Sequence, residues 1–294
     1  GDFLEWKGTA DLIIGNPPYF VIKTDKMTAK QKKEFAIKNC MTGRPNIYIR
    51  FLHKCLTEHL ETDGFLAFII PTSLYNCSYY QPMRNYIQKH TTIKYVETLN
   101  KPGFYETGQD TMLIILQKNK TNDDYIFRSK SGNIYISPYY KELYDITQNT
   151  RSLSDLGLGV KTGNITWNEC KEHLADTGTL LIYSHNIRDS KLTLEGNKTK
   201  KQYINIDKPS LNGTYILVER GYGNSLSFNS VLVNLTNFYA ENHINVIYSK
   251  TEDVSNLHVA IKSFQDERTK QFLKWFIGNG SVSATDIETN IPIF

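Results

Sequence analysis

Four consecutive residues, Asn16, Pro17, Pro18 and Tyr19, are where this sequence offers chemistry. They follow the apolar run Leu12, Ile13, Ile14 and the turn residue Gly15. Neither proline nitrogen carries a proton, so the pair cannot continue a strand ladder and instead fixes the backbone. The carbonyls around the pair face no local donor, and Asn16 adds a side-chain carbonyl acceptor. Two acceptors held rigidly grip both protons of an amino group and turn its lone pair outward. Tyr19 adds a flat ring on which a planar base stacks, worth ~1–3 kcal/mol. The substrate that fits is a planar heterocycle or amide bearing NH2. A purely structural turn with a buried tyrosine is the competing reading.

The elements that must hold this turn follow from pattern. Leu12, Ile13 and Ile14 read as a strand buried on both faces of a parallel sheet. Residues 28–40 predict a charged amphipathic helix. Residues 45–64 predict a second helix, with Pro45 near its start and Gly64 beyond its end. Residues 65–71 read as a strand stopped by proline, 81–91 as a helix, and 93–99 and 111–118 as strands. The alternation argues for an open, mostly parallel α/β sheet, with ligands at the carboxyl ends of its strands. The link holding Gly103 and Gly108 is too short for a crossover helix, so its two strands read as an antiparallel pair at one edge. This first domain covers residues 1–150. Beyond it the alternation is gone, and short strands such as 213–220 and 244–249 with one helix at 266–278 read as a mixed α+β domain over 151–294.

Bulk properties bound the function. A chain of 294 residues with 40% hydrophobic content builds a real core. No apolar run approaches the ~18 residues of a membrane span, so no membrane partner is expected. Cys40, Cys55, Cys77 and Cys170 lack paired spacing and read as reduced thiols in a cytoplasmic protein. The seven histidines form no metal-ligand spacing, so no metal is expected. The formal charge of +4 names no partner by itself. A local basic excess lies in residues 188–201, with Arg188, Lys191, Lys198, Lys200 and Lys201 against Asp189 and Glu195. Phosphate positioning and a solvated loop both fit it; Arg220 is a further candidate for groove contact.

The segment "DLIIGNPPYF" resembles the signature of amino-group methyltransferases that use S-adenosylmethionine. The wider pattern resembles the TaqI-like, gamma-class N6-adenine DNA methyltransferases. "GDFLEW" is similar to that family's acidic segment, which implies Asp2 and Phe3, with Pro18, as cofactor contacts. "RPNIYIRFLHKCL" and "DGFLAFIIPTSLYN" are similar to the helix and strand that follow. "GFYETGQDTMLIILQK" is similar to the late segment whose aromatic residue packs on the extruded base, which implies Phe104, or else Tyr105. The resemblance covers roughly residues 1–120. It implies a fold made of the C-terminal part of a Rossmann-like methyltransferase sheet, followed by a mixed α+β target-recognition domain. It implies methyl transfer to a flipped adenine in double-stranded DNA, with Asn16, Pro17, Pro18, Tyr19 and Phe104 as the catalytic set. A monomer, a cytoplasmic, nucleoid-associated place and a cognate restriction endonuclease go with that reading.

The family's glycine-rich loop for the methionine part of the cofactor lies upstream of the signature, and no such loop precedes Asn16 here. The opening "GDFLEW" therefore reads as cut from a longer protein, with roughly 60–100 residues expected before it, one and a half to two βαβ units. The expected result is that the 294-residue chain alone is inactive and binds S-adenosylmethionine weakly or not at all; titration calorimetry giving micromolar affinity would overturn this. Three rivals stay open. They are N4-cytosine methylation, glutamine or guanine-N2 methylation by enzymes sharing the Asn-Pro-Pro-Tyr turn, and a DNA-specificity module without catalysis.

Overall fold

The computed structural model describes residues 5–43, 45–99, 110–119, 121–194, 201–220, 228–276 and 282–294. The chain divides into two compact units. One is Gly1–Asp145 with Trp275–Asn279, and the other is Ile146–Lys274 with Gly280–Phe294.

The first unit is built on a four-stranded sheet. In chain order it contains β1 (Ala10–Gly15), α1 (Ala29–Lys38), α2 (Ile47–Lys54), β2 (Leu60–Pro71), α3 (Gln81–His90), β3 (Thr91–Leu99) and β4 (Thr111–Lys118). The strand order is β1-β2-β4-β3. β1 and β2 run parallel, while β2–β4 and β3–β4 are antiparallel. The sheet is thus mixed rather than mostly parallel, because β4 turns back beside β2 and β3 joins it at the edge. A small ribbon, β5 (Ile126–Arg128) with β6 (Ile134–Ile136), and α4 (Tyr140–Thr147) complete the unit. Leu66, Phe68 and Ile70 of β2 and Met112, Ile114 and Leu116 of β4 join Leu52, Leu56 and Ile87 in the core. Leu12 and Ile14 are 57% and 75% exposed, against the expectation of a strand covered on both faces. Among the described residues β1 pairs with β2 alone, and only Ile13 packs toward the core.

The helix expected over 45–64 ends sooner. Asn46 caps α2, accepting a hydrogen bond from the Tyr48 backbone N–H. The helix then widens into a π turn at Cys55–His59, and β2 starts at Leu60. Gly64 is required for a reason other than stopping a helix. A Cβ there would lie 2.8 Å from the Asp11 carbonyl, so the close approach of β1 excludes any larger residue.

Arg84 ties α3 to its surroundings from a buried position, 1% exposed. Its guanidinium donates to the carbonyls of Leu74 at 3.2 Å and Cys77 at 2.8 Å, to Gln81 Oε1 at 2.8 Å, and to the Ile134 carbonyl. A buried charge with this many donors satisfied rigidifies the segment after β2. Trp275 and Phe276 also belong to this unit, with the Phe276 ring 4.8 Å from that of Tyr135.

The second unit holds a seven-stranded sheet. Its strands are β7 (Leu158–Thr162), β8 (Leu174–Ala175), β9 (Thr179–Ile182), β12 (Tyr203–Ile204), β13 (Leu211–Glu219), β14 (Ser230–Ala240) and β15 (Ile244–Ser249). The order is β7-β15-β13-β14-β9-β12-β8, antiparallel except for β14–β9. The short strands β10 (Ile187–Arg188) and β11 (Lys191–Leu192) form a separate hairpin. Ile182, Leu217, Phe238 and Val246 are among the core residues. Where one helix was expected, the described residues hold three: α5 (Ser255–Phe264), α6 (Glu267–Phe276), whose last two residues belong to the first unit, and α7 (Ala284–Thr289). Among the described residues no helix is long and apolar enough to cross a membrane.

Candidate active site

β1 ends at Gly15 opposite Phe68 of β2, and the Asn-Pro-Pro-Tyr turn leaves the sheet at that carboxyl end. A Cβ at Gly15 would come within 3.0 Å of the Phe68 ring, so the position is tight. Pro17 is buried and anchors the turn, while Asn16 and Pro18 are exposed and Tyr19 is half-buried. After the turn, the Ile47 N–H donates to the Phe20 carbonyl at 3.0 Å and the Ile22 N–H to the Pro45 carbonyl at 2.9 Å. These bonds fasten the exit of the turn to the start of α2.

Tyr19 is the centre of a hydroxyl network. Its hydroxyl contacts Asn16 Oδ1 and lies 2.8 Å from the Ile69 carbonyl of β2. Burial pushes its phenol up to about 12, so at neutral pH it keeps its proton and donates. The Tyr19 ring meets Tyr48 edge-on, centroids 6.3 Å apart at 88°. Tyr48 is fully buried and exchanges a 2.9 Å hydrogen bond with Ser73 Oγ. Burial, reinforced by the neighbouring Tyr80, holds the Tyr48 phenol well above its ordinary value.

The asparagine side chain is therefore held with its oxygen located, at the edge of solvent. A carbonyl oxygen has two lone pairs, so the bond from Tyr19 leaves capacity for an incoming N–H. The Tyr19 hydroxyl is a local donor to Asn16 that the sequence did not announce. Sequence reasoning missed the Ile69 carbonyl, Tyr48 and Ser73. A backbone carbonyl 50 residues away leaves no mark in the sequence, although "IPTSLYN" lay in a segment already singled out.

The other expected site residues are distributed as follows. Asp2, Phe3, Phe104, Tyr105, Lys198 and Lys200 lie outside the described residues. Leu99 and Thr111, which flank the stretch containing Phe104, pair with each other, and Thr111 also pairs with Pro71 at the end of β2. Both flanks thus stand at the carboxyl end of β1 and β2. A pocket lined by Glu5, Trp6, Lys7, Lys54 and His59 sits instead at the amino end of β1. It is at the wrong end of the sheet to share substrate with Asn16. Of the residues implied as cofactor contacts, Pro18 alone is described, and it is exposed.

In the second unit, Arg188 and Lys191 are cross-strand partners on the β10–β11 hairpin. The turn between them, Asp189–Ser190, has positive φ at both residues, 48° and 59°. Two non-glycine residues in the left-handed region, below two like charges, make this tip costly, on the order of 1–2 kcal/mol per residue. Arg188 Nε donates to the His185 carbonyl at 3.0 Å, which fixes its stem. Lys201 is exposed and 3.2 Å from Asp176. Arg220 follows β13, and its guanidinium donates to the Asn242 carbonyl at 3.4 Å. That loop is pinned by Glu241, which is 1% exposed and accepts from the His243 backbone at 3.0 Å while its other oxygen meets His243 Nδ1 at 2.6 Å. Among the described basic residues of this unit's candidate set, Arg188 and Lys191 are side by side, while Lys201 and Arg220 stand on other segments.

Residues 2–104 match the family described as Eco57I restriction-modification methylase. Over 303 residues, spanning the whole chain and 75% of the relative, the chain is 30% identical to the Type II methyltransferase M.CvrRI of Paramecium bursaria Chlorella virus XZ-6E. The chain belongs to the restriction-modification methylase family. The methylase is also 29% identical, over its whole length and 73% of the relative, to the modification methylase CviBIII of Paramecium bursaria Chlorella virus NC1A. Its fold is similar to that of the Type IIL restriction-modification enzyme MmeI in complex with DNA. That match has a TM-score of 0.51 and 14% identity, covering 95% of this chain and 45% of the other.

Proposed function

We propose that the methylase is a site-specific, gamma-class DNA methyltransferase acting on the N6 amino group of adenine within a restriction–modification system. The observation that carries this reading is the exposed Asn16 at the carboxyl end of β1, its oxygen located by a tyrosine that stays protonated. The adenine amine is conjugated with its ring and is a weak nucleophile. Asn16 Oδ1 and the Pro17 carbonyl accept its two protons and favour a pyramidal nitrogen whose lone pair points away from the protein. This is orientation and preorganised electrostatics, without a strong base. Asp2, Phe3 and Pro18 hold S-adenosylmethionine, which supplies an electrophilic methyl group when bound.

The target base must leave the duplex stack, at a cost of a few kcal/mol. Tyr19 and Phe104, with Tyr105 as the substitute for the latter, offset that cost by enclosing the base. The C-terminal unit recognises the site, with Arg188, Lys191, Lys198, Lys200, Lys201 and Arg220 on the DNA. The DNA-bound restriction-modification neighbour supports DNA as the partner. The methylase works as a monomer in the cytoplasm, alongside a cognate endonuclease.

Nucleoside mass spectrometry of plasmid methylated by the intact enzyme tests the base. N6-methyladenine is expected. N4-methylcytosine would replace adenine by cytosine, and label in protein or RNA would reject DNA as the substrate.

A further inference from the structure

A second basic stretch lies close to the Asn-Pro-Pro-Tyr turn. Residues 23–38 hold six lysines (23, 26, 30, 32, 33 and 38) against Asp25 and Glu34, an excess of four that equals the formal net charge of +4 of the whole chain. This stretch begins four residues after Tyr19, so the Cα of Lys23 lies within about 14 Å of that of Tyr19.

Its fold keeps those charges in solvent. A capping box starts α1, with the Gln31 N–H donating to Thr28 Oγ1 at 3.3 Å and the Thr28 N–H to Gln31 Oε1 at 2.9 Å. The stretch is fixed at both ends. The bonds from Ile22 and Ile47 hold its entry, and the Thr42 N–H donates to the Tyr79 carbonyl at 2.8 Å at its exit. Within α1 itself Ala36 is the one buried residue, and Phe35 packs partly against the core. All six lysines are exposed. The ion pair of Lys30 with Glu34 spans 4.0 Å between side chains that are 87% and 65% exposed, too open to neutralise the lysine. Ile37, 65% exposed, also faces solvent. A helix that buries so little has no packing reason for this many like charges on one short segment.

We propose that residues 23–38 form a phosphate-binding arm of the catalytic unit, gripping the DNA backbone beside the extruded nucleotide. The occupant is the sugar–phosphate backbone of duplex DNA, chosen by charge complementarity and by the arm's tether to the turn that must meet the base. The inference rests on the DNA-methylating reading above and extends it to a surface separate from the C-terminal basic residues. Phosphate binding of this kind carries register and affinity, not base identity.

The test is made in the intact enzyme and compares its native form with the triple variant Lys26→Gln, Lys30→Gln, Lys33→Gln, and with the charge-keeping variant Lys26→Arg, Lys30→Arg, Lys33→Arg. Glutamine is a good helix former, and far-ultraviolet circular dichroism confirms that α1 and the fold persist. Duplex affinity is measured from 0.05 to 0.3 M salt. The slope of log K against log salt should shrink by about 0.9 for each phosphate no longer neutralised, ~2.7 for the glutamine triple. Affinity at 0.1 M salt should fall on the order of a hundredfold for all sequences alike. The arginine triple should keep the native slope, and turnover at saturating DNA should stay native in both. An unchanged slope in the glutamine triple, with native DNA binding and methylation intact, would overturn the arm and leave the DNA reading standing. Native protein that neither binds nor methylates duplex DNA would overturn that reading, and the arm with it.

Discussion

In the intact enzyme, replacing Asn16 by alanine should abolish methyl transfer and leave duplex binding nearly unchanged. Asn16 is exposed, so truncation opens no cavity and exposes no core. Tyr19 keeps a partner after the change, because its hydroxyl is 2.8 Å from the Ile69 carbonyl. The turn should therefore hold its shape while losing the acceptor that orients the amine. Loss of one preorganised polar group aimed at a reacting centre costs about 10²–10³ in turnover. DNA affinity is dominated by phosphate binding, in which Asn16 takes no part. Single-turnover kinetics with saturating DNA and cofactor, paired with equilibrium binding, separates the two. A variant retaining more than about a tenth of native kcat, a loss under ~1.4 kcal/mol, would remove Asn16 from the role assigned to it.

Tyr19 should split into two functions when phenylalanine and alanine are compared. Phenylalanine keeps the ring and removes the hydroxyl that contacts Asn16 Oδ1 and the Ile69 carbonyl. A net hydrogen bond is worth about 0.5–1.5 kcal/mol, so kcat should fall up to about tenfold while the extruded base remains stacked. Alanine also removes the platform. With 2-aminopurine at the target position, fluorescence should show full unstacking for phenylalanine and reduced unstacking for alanine. Equal fluorescence in both variants would mean that the ring does not hold the base. The pH dependence follows from the phenol raised to about 12 by burial. Its folded value lies above its unfolded value of ~10, so the contribution to stability is complete below pH 10 and is lost as pH rises through about 12. Tyr19→Phe should remove that component of the alkaline loss and leave the slope of stability against pH unchanged in the neutral range.

The parts of the fold that could be read in advance are those where apolar runs meet prolines or turn residues. Residues 111–118 and 244–249 are strands with the expected bounds, and α3 ends one residue short of its expected limit. The reading failed where one residue type serves two ends. Gly64 looks like a helix stop but is there for the backbone of β1, and the helical spacing of Leu56 and Leu60 continues across a π turn into a strand. Exposure on β1 was also out of reach, since Leu12 and Ile14 are as apolar as any buried pair. At the site, Asn16 and Tyr19 announce themselves by type and order. Their tether does not, because it runs through a main-chain oxygen on a different strand.

Asp189 and Ser190 would not survive selection for heat endurance alone. Asn-Gly fits the same two-residue hairpin with less strain, and it is the pair that a designer would choose. Under the proposed DNA contact at Arg188 and Lys191, which face each other across that turn, the hairpin tip is where durability and target grip pull in opposite directions.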